Sequence, residues 1–155
     1  MSKYFPMFVD ISEAVTVVVG GGTIASRRVR TIAEFCNHVT VVAPEVTDDI
    51  RQLEEEGRLS WKQKTYERED ILNADMVLAC TDQPEINKDI YAACKCLGIR
   101  VNNCSDKKQC DFYFPGVITA GDTVVGVNAG GNDHRKAKEI TQKIRQVLEE
   151  PKNEE

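Results

Sequence analysis

The sequence of 155 residues lacks the usual features of membrane, secreted and nucleic-acid-binding proteins. No apolar run approaches the roughly 18 residues of a membrane-spanning helix. Residues 1–6, MSKYFP, contain neither the hydrophobic region nor the small-residue cleavage site of a signal peptide. The 20 basic residues are outnumbered by 25 acidic ones, which disfavours a globally basic nucleic-acid binder. We therefore expect a cytoplasmic protein that has neither a membrane nor a nucleic acid as a partner.

The chain also lacks internal repeats and is too short for two full domains. Its hydrophobic fraction of 41% and its charged fraction of 29% are ordinary for a globular protein. In a chain without a leader, the six cysteines are interpreted as reduced thiols rather than as a disulfide framework. Their spacing matches no usual zinc pattern, so we expect no metal site.

Short apolar runs alternate with helical patterns as far as residue 103. The runs predict buried strands at 14–19, 39–43, 76–80 and 100–103, with a weaker edge strand at 60–64. The segments between them predict helices at about 24–36, 46–56 and 84–97. Repeated strand–helix–strand units with connections this short are typical of the α/β class. We expect a parallel sheet with helices on both faces and right-handed crossovers.

The pattern changes beyond the last of these strands. Residues 116–128 predict a β-hairpin that turns at 120–122. A final helix is predicted because five apolar residues share one face, namely Ala137, Ile140, Ile144, Val147 and Leu148. We divide the chain into a sheet domain at 1–112, a hairpin–helix region at 113–150 and a disordered acidic tail at 151–155. The hairpin–helix region could pack on the sheet domain or on a second copy of the chain.

A glycine cluster lies between the first predicted strand and the first predicted helix. Residues 20–25, GGGTIA, match the pattern G-x-G-x-x-A. Gly20 allows a tight turn, Gly22 lets a pyrophosphate approach the backbone, and Ala25 permits close packing of the helix on the strand. The amide groups at the start of the helix then point at the anion, assisted by the helix dipole. The cluster predicts a Rossmann-like fold that binds a dinucleotide.

The end of the second predicted strand bears on the choice of dinucleotide. The acidic residue that bonds the ribose 2′-hydroxyl usually lies about 20 residues beyond the glycines. Here Pro44 ends the strand and Glu45 follows Gly22 by 23 residues, so backbone contacts at 43–45 share that role. No arginine lies at the strand end to pair with a 2′-phosphate, and the nearest one downstream is Arg51. These residues favour NAD over NADP.

Six sequence segments, which include the glycine cluster, carry a family resemblance that covers residues 4–148. They are YFPMFVD at 4–10, GGGTIASRR at 20–28, VTVVAP at 39–44, ACTD at 79–82 with Asn87, VN at 101–102 and CDFYFP at 110–115. Together they resemble precorrin-2 dehydrogenase, the NAD-binding part of siroheme synthase. The resemblance implies NAD-dependent oxidation of precorrin-2 to sirohydrochlorin in siroheme biosynthesis, and some members also insert ferrous iron. It also implies a homodimer whose interface is the hairpin–helix region.

The resemblance assigns site residues along the chain. The implied cofactor contacts are Gly20, Gly21, Gly22, Thr23, Ile24, Pro44, Glu45, Thr81 and Asp82. The family commonly has an aspartate as the proposed base where this chain has Ser105, so Ser105, Asp106 and Asp111 are the candidate catalytic residues. Because the substrate carries many carboxylates, we expect cations to bind it, with Arg28, Lys107, Arg135 and Lys136 as the candidates.

Two other functions remain open. Ser105 in place of the aspartate, and a C-terminal segment shorter than is usual in the family, suggest a non-catalytic subunit that binds NAD or a tetrapyrrole for a partner. The third possibility is a sirohydrochlorin ferrochelatase, which would insert a metal independently of NAD.

Overall fold

The computed structural model describes residues 4–130 and 134–149. These residues form two compact units. The first comprises residues 9–112, and the second comprises residues 4–8 together with 113–130 and 134–149. The predicted acidic tail, 151–155, lies outside the described residues. No helix among residues 4–130 and 134–149 is both long enough and apolar enough to cross a membrane.

The first unit is built on a five-stranded parallel sheet. Its strands are β1 (Val15–Val19), β2 (His38–Val42), β3 (Ser60–Lys62), β4 (Met76–Ala79) and β5 (Arg100–Asn103). They lie in the order β3-β2-β1-β4-β5, so the central β1 pairs with β2 on one side and with β4 on the other. The apolar runs of β1, β2 and β4 are continuous because these strands are buried on both faces, whereas the edge strand β3 is largely exposed. The predicted α/β sheet is confirmed.

Helices cover the sheet. They are α1 (Thr23–Ile32), α2 (Asp48–Glu55) and α3 (Pro84–Leu97), with a short 3-10 turn at Arg68–Ile71. Ile90 and Cys94 of α3 pack in one core with Val17 and Val77. Helices α1 and α2 pack against each other, and crossovers of the usual right hand would place them on the opposite face of the sheet. Helix α1 ends earlier than predicted, because the chain leaves it in a series of turns after Ile32.

The second unit contains the predicted hairpin and the final helix. Strands β6 (Gly116–Ala120) and β7 (Thr123–Val127) pair antiparallel, and α4 spans His134–Glu149. A Cβ atom on Gly116 would lie 2.6 Å from Oγ1 of Thr141, so the absence of a side chain lets α4 approach β6 closely. The Tyr4 ring packs on that of Tyr113, with their hydroxyls 2.9 Å apart.

Candidate cofactor site

The first glycine of the cluster lies where β1 turns into α1. Gly20 has φ of +117°, a conformation that favours glycine. A Cβ atom there would lie 2.4 Å from the carbonyl oxygen of Cys80, at the end of β4. The Gly20 amide donates to the Val42 carbonyl of β2 at 3.0 Å. The turn is therefore held against the carboxyl ends of both strands that flank β1.

The next two glycines form an open surface at the start of α1. Gly21 packs so closely on the chain after β2 that an added Cβ would lie 2.0 Å from the Glu45 carbonyl oxygen. A Cβ on Gly22 would meet no atom within 4 Å. Gly22 is also the N-cap residue of α1, and no side chain caps this helix end. The first amides of a helix lack partners inside it, so those of α1 can bind an anion that approaches over Gly22.

This surface lies at the point where the strand order of the sheet reverses. Strands β2 and β3 follow β1 on one side, whereas β4 and β5 lie on the other. Dinucleotides bind across the crevice at such a point, outside the carboxyl ends of the strands. All nine predicted cofactor residues lie in the turns after β1, β2 and β4 or at the start of α1, at this edge of the sheet. The residues present therefore fit a dinucleotide, with its diphosphate over Gly22.

A residue for which the sequence predicts no role connects the turn after β4 with the loop after β5. Asn87 is fully buried on the first turns of α3. Its Oδ1 accepts from the Thr81 amide at 3.1 Å and from the Thr81 hydroxyl at 2.7 Å. Its Nδ2 donates to the Thr81 carbonyl at 2.9 Å and to Oγ of Ser105 at 2.5 Å. The buried face of α3 consists of Asn87, Ile90 and Cys94. A polar side chain at a buried helix position usually has hydrogen-bond partners, and this feature of the sequence could have indicated the role of Asn87.

The three candidate bases have different surroundings. Ser105 receives the Asn87 hydrogen bond through its hydroxyl. The Asp106 carboxylate accepts from the Lys108 amide at 2.9 Å within its own turn. The two Asp111 oxygens accept from Lys95 Nζ at 2.6 Å and from the Val101 amide at 3.0 Å. Asp111 thus joins the segment after β5 to Val101 of β5 and to Lys95 of α3.

The four predicted substrate cations are divided between the two units. Arg28, on α1, donates to Oδ1 of Asn102 at 2.8 Å and so lies at the end of β5. Lys107 is exposed in the loop after β5. Arg135 and Lys136 are exposed on the first turn of α4. Within the sheet unit, Arg28 and Lys107 therefore both lie near the carboxyl end of β5.

Two thiols meet at the carboxyl ends of β4 and β5. The Sγ atoms of Cys80 and Cys104 are 2.8 Å apart. The hydrogen bond from Cys80 lowers the pKa of Cys104 below its usual value, and the charges of Arg28 and Arg27 lower it further. The same hydrogen bond, together with burial, raises the pKa of Cys80. Across residues 4–130 and 134–149, no three histidine, cysteine, aspartate or glutamate side chains are grouped so that they could hold a metal ion.

Comparison with known proteins identifies the family. The family described as "Putative NAD(P)-binding" matches residues 7–116. A precorrin-2 dehydrogenase of Bacillus subtilis is 31% identical over 144 residues, which cover 93% of this chain and 88% of that protein. A probable multifunctional siroheme biosynthesis protein HemA of Ruminiclostridium josui is 33% identical over 92% of this chain and 28% of that protein. The solved structure of SirC, precorrin-2 dehydrogenase, has a TM-score of 0.79 at 26% identity, covering 93% of this chain and 70% of that one.

These matches agree with one another and with the geometry of the site. The chain spans nearly the whole Bacillus subtilis relative and less than a third of the Ruminiclostridium josui protein. The NAD(P)-binding match includes every strand of the parallel sheet and all three turns of the candidate site. The chain belongs to the precorrin-2 dehydrogenase family and carries its NAD-binding domain.

Proposed function

We propose that this chain is a dehydrogenase that uses NAD to oxidise precorrin-2 to sirohydrochlorin, a step in siroheme biosynthesis. The uncapped start of α1 above Gly22, at the reversal of strand order, is the observation that carries the proposal. The Bacillus subtilis relative, a precorrin-2 dehydrogenase that this chain matches along 88% of its length, supports precorrin-2 as the substrate.

The proposed contacts follow the three turns. The amides of residues 21–24 bind the diphosphate, because they lie in or next to the first turn of α1, whereas Gly20, whose amide donates to Val42, shapes the turn. Pro44 and Glu45, both exposed after β2, contact the adenosine ribose. Thr81 and Asp82, after β4, contact the nicotinamide half. NAD held by these residues would supply the acceptor for the hydride that the tetrapyrrole loses.

Among the candidate bases we favour Asp106. The Ser105 hydroxyl already accepts a hydrogen bond from Asn87. A serine hydroxyl is also a weak base near neutral pH. Both carboxylate oxygens of Asp111 are engaged by Lys95 and Val101. Asp106 is half-buried in the loop that follows β5, and it carries the carboxylate nearest in sequence to the family's usual position. It would accept the proton that the tetrapyrrole loses.

The remaining proposals concern the surface of the protein. Arg28 and Lys107 in the sheet unit, and Arg135 and Lys136 in the hairpin–helix unit, bind carboxylates of the substrate.

The hairpin–helix unit forms a homodimer interface, which is supported by its exposed apolar side chains, namely Phe5, Met7, Phe8, Val147 and Leu148. The cytoplasm is the compartment we propose, because all six cysteines are unpaired. Sedimentation that gives a monomer at every concentration would contradict the dimer.

The substitution Gly22→Ser tests the cofactor site without weakening the fold. Serine is a preferred N-cap residue, and a Cβ at this position meets no protein atom, so the stability should hold. The added side chain occupies the space above the amides, and we expect the NAD+ affinity measured by calorimetry to fall by about tenfold or more, which is about 1.4 kcal/mol. Gly126→Ser, at an exposed position of β7, is the matched control and should bind NAD+ normally.

Turnover is measured by mixing the protein with precorrin-2 and NAD+ and following NADH absorbance. Production of NADH and sirohydrochlorin supports the dehydrogenase. Binding of both ligands without NADH would instead favour the non-catalytic partner subunit, which the serine at position 105 suggests. Metal insertion into sirohydrochlorin in the absence of NAD would favour the ferrochelatase. Failure to bind NAD+ at millimolar concentration would refute the proposal.

A further inference from the structure

Cys80 and Cys104 occupy facing positions on adjacent strands. Ala79 of β4 pairs in register with Asn103 of β5, so these two cysteines are the next facing pair. The Cys104 amide continues the ladder by donating to the Ala79 carbonyl at 3.0 Å. Facing residues of neighbouring strands lie about 4.8 Å apart. A disulfide spans Cα separations of about 4.4–6.8 Å, so the backbone already has the spacing that a bond between these sulfurs needs.

The two thiols differ in access and in chemistry. Cys104 is half-exposed, whereas Cys80 is buried with 7% of its surface accessible. The Cys80 hydrogen bond and the nearby arginines lower the pKa of Cys104, so more of it is thiolate at neutral pH than in a free cysteine. Cys104 is therefore the thiol that an external reagent reaches first. Cys80, with its Sγ 2.8 Å away, is positioned to attack the resulting mixed disulfide.

The pair adjoins the cofactor turn after β4 and the loop after β5. Cys80 directly precedes Thr81, and Cys104 directly precedes Ser105, which are the two residues that Asn87 binds. The Cys80 carbonyl is packed against Gly20, where a Cβ would lie at 2.4 Å. A sulfur–sulfur bond is about 2.0 Å long, shorter than the present contact, so closing it turns the two side chains and joins the ends of β4 and β5 covalently. Because Gly20 is packed against the Cys80 carbonyl and Asn87 binds Thr81 and Ser105, the new constraint acts next to the glycine turn and Thr81.

We propose that Cys80 and Cys104 form a reversible disulfide, and that the reduced pair is the form that binds NAD with full affinity. With a small disulfide RSSR as oxidant, the Cys104 thiolate attacks one sulfur of RSSR and expels RS−. The Cys80 sulfur then attacks Cys104 of the mixed disulfide, expels the second RS− and passes its proton to a thiolate. The two protein thiols lose two electrons and two protons, and RSSR becomes two RSH.

Oxidised glutathione tests the proposal on the full chain. Thiol titration should show the loss of two of the six thiols, and peptide mapping should join the Cys80 peptide to the Cys104 peptide. Cys80→Ser and Cys104→Ser should each abolish this disulfide, whereas Cys96→Ser, at an exposed position on α3, should retain it. The NAD+ affinity of the oxidised protein should fall by about threefold or more and recover after reduction with dithiothreitol.

Several results would overturn the proposal. A glutathione adduct that remains on Cys104 while Cys80 stays free would show that the second step does not occur. A disulfide between other cysteines, or between two chains through Cys96, would show that the pair is not the reactive one. An unchanged NAD+ affinity after complete oxidation would show that the disulfide does not affect cofactor binding. The thiol count and the peptide map do not depend on dehydrogenase turnover, so they remain decisive if the proposed activity fails.

Discussion

Replacing Asn87 by alanine tests whether this buried amide holds the cofactor turn after β4 to the loop after β5. The substitution removes four side-chain hydrogen bonds, three to Thr81 and one to Ser105. Each such bond contributes about 0.5–1.5 kcal/mol of net stability. Thr81 is half-buried and Ser105 is exposed, so water replaces part of what is lost. Alanine also favours a helix interior by about 0.5 kcal/mol over asparagine.

These contributions predict that the free energy of unfolding falls by about 2–4 kcal/mol. Urea titration followed by circular dichroism measures the change as a lower midpoint with an unaltered slope. Lys88→Ala is the control, because Lys88 is the next residue of α3 and is exposed, and its effect should stay within about 0.5 kcal/mol. Calorimetry of the folded variant should also show weaker NAD+ binding, since Thr81 is no longer held. A loss no larger than that of Lys88→Ala would refute the role of Asn87.

Three further predictions concern individual side chains. The Tyr66 hydroxyl is buried without a hydrogen-bond partner, and burial raises its pKa to about 12, so Tyr66→Phe should leave the unfolding free energy unchanged or raise it by up to about 1 kcal/mol. A clear loss in urea titration would contradict this. Asp106→Ala should lower turnover more than Asp111→Ala, whereas Asp111→Ala should lower the stability more; equal and small effects on turnover would place the base outside this loop. Alkylation of Cys104 should reach half its maximal rate at a lower pH than a free thiol, because a hydrogen bond from Cys80 lowers its pKa. That midpoint should rise in Cys80→Ala, and an unchanged midpoint would show that Cys80 has no such effect.

The elements of the sheet unit could be predicted because their signals are local. Continuous apolar runs mark buried strands, Pro84 marks the first turn of α3, and Gly98 ends that helix with φ of +73°. The glycine turn could also be predicted, since its conformation demands glycine at position 20 whatever surrounds it. The segments that resemble the family then pointed to candidate cofactor residues in the turns after β2 and β4.

Contacts that depend on register could not be predicted in the same way. Cys80 meets Cys104 only because Ala79 aligns with Asn103, and nothing in either strand alone specifies that alignment. The bonds of Asn87 to two separate turns depend on how α3 docks on the sheet. Likewise, the engagement of both Asp111 oxygens is visible only once the chain returns alongside β5.

The Tyr4–Tyr113 contact has a consequence for the order in which the protein is made. The two hydroxyls meet across 109 positions of the chain, and residues 4–8 group with residues beyond 112. On a ribosome, Tyr4 emerges first but must wait for a partner that is translated after every strand of the parallel sheet. The sheet unit can therefore fold during synthesis before the unit that contains Tyr4 receives its remaining residues.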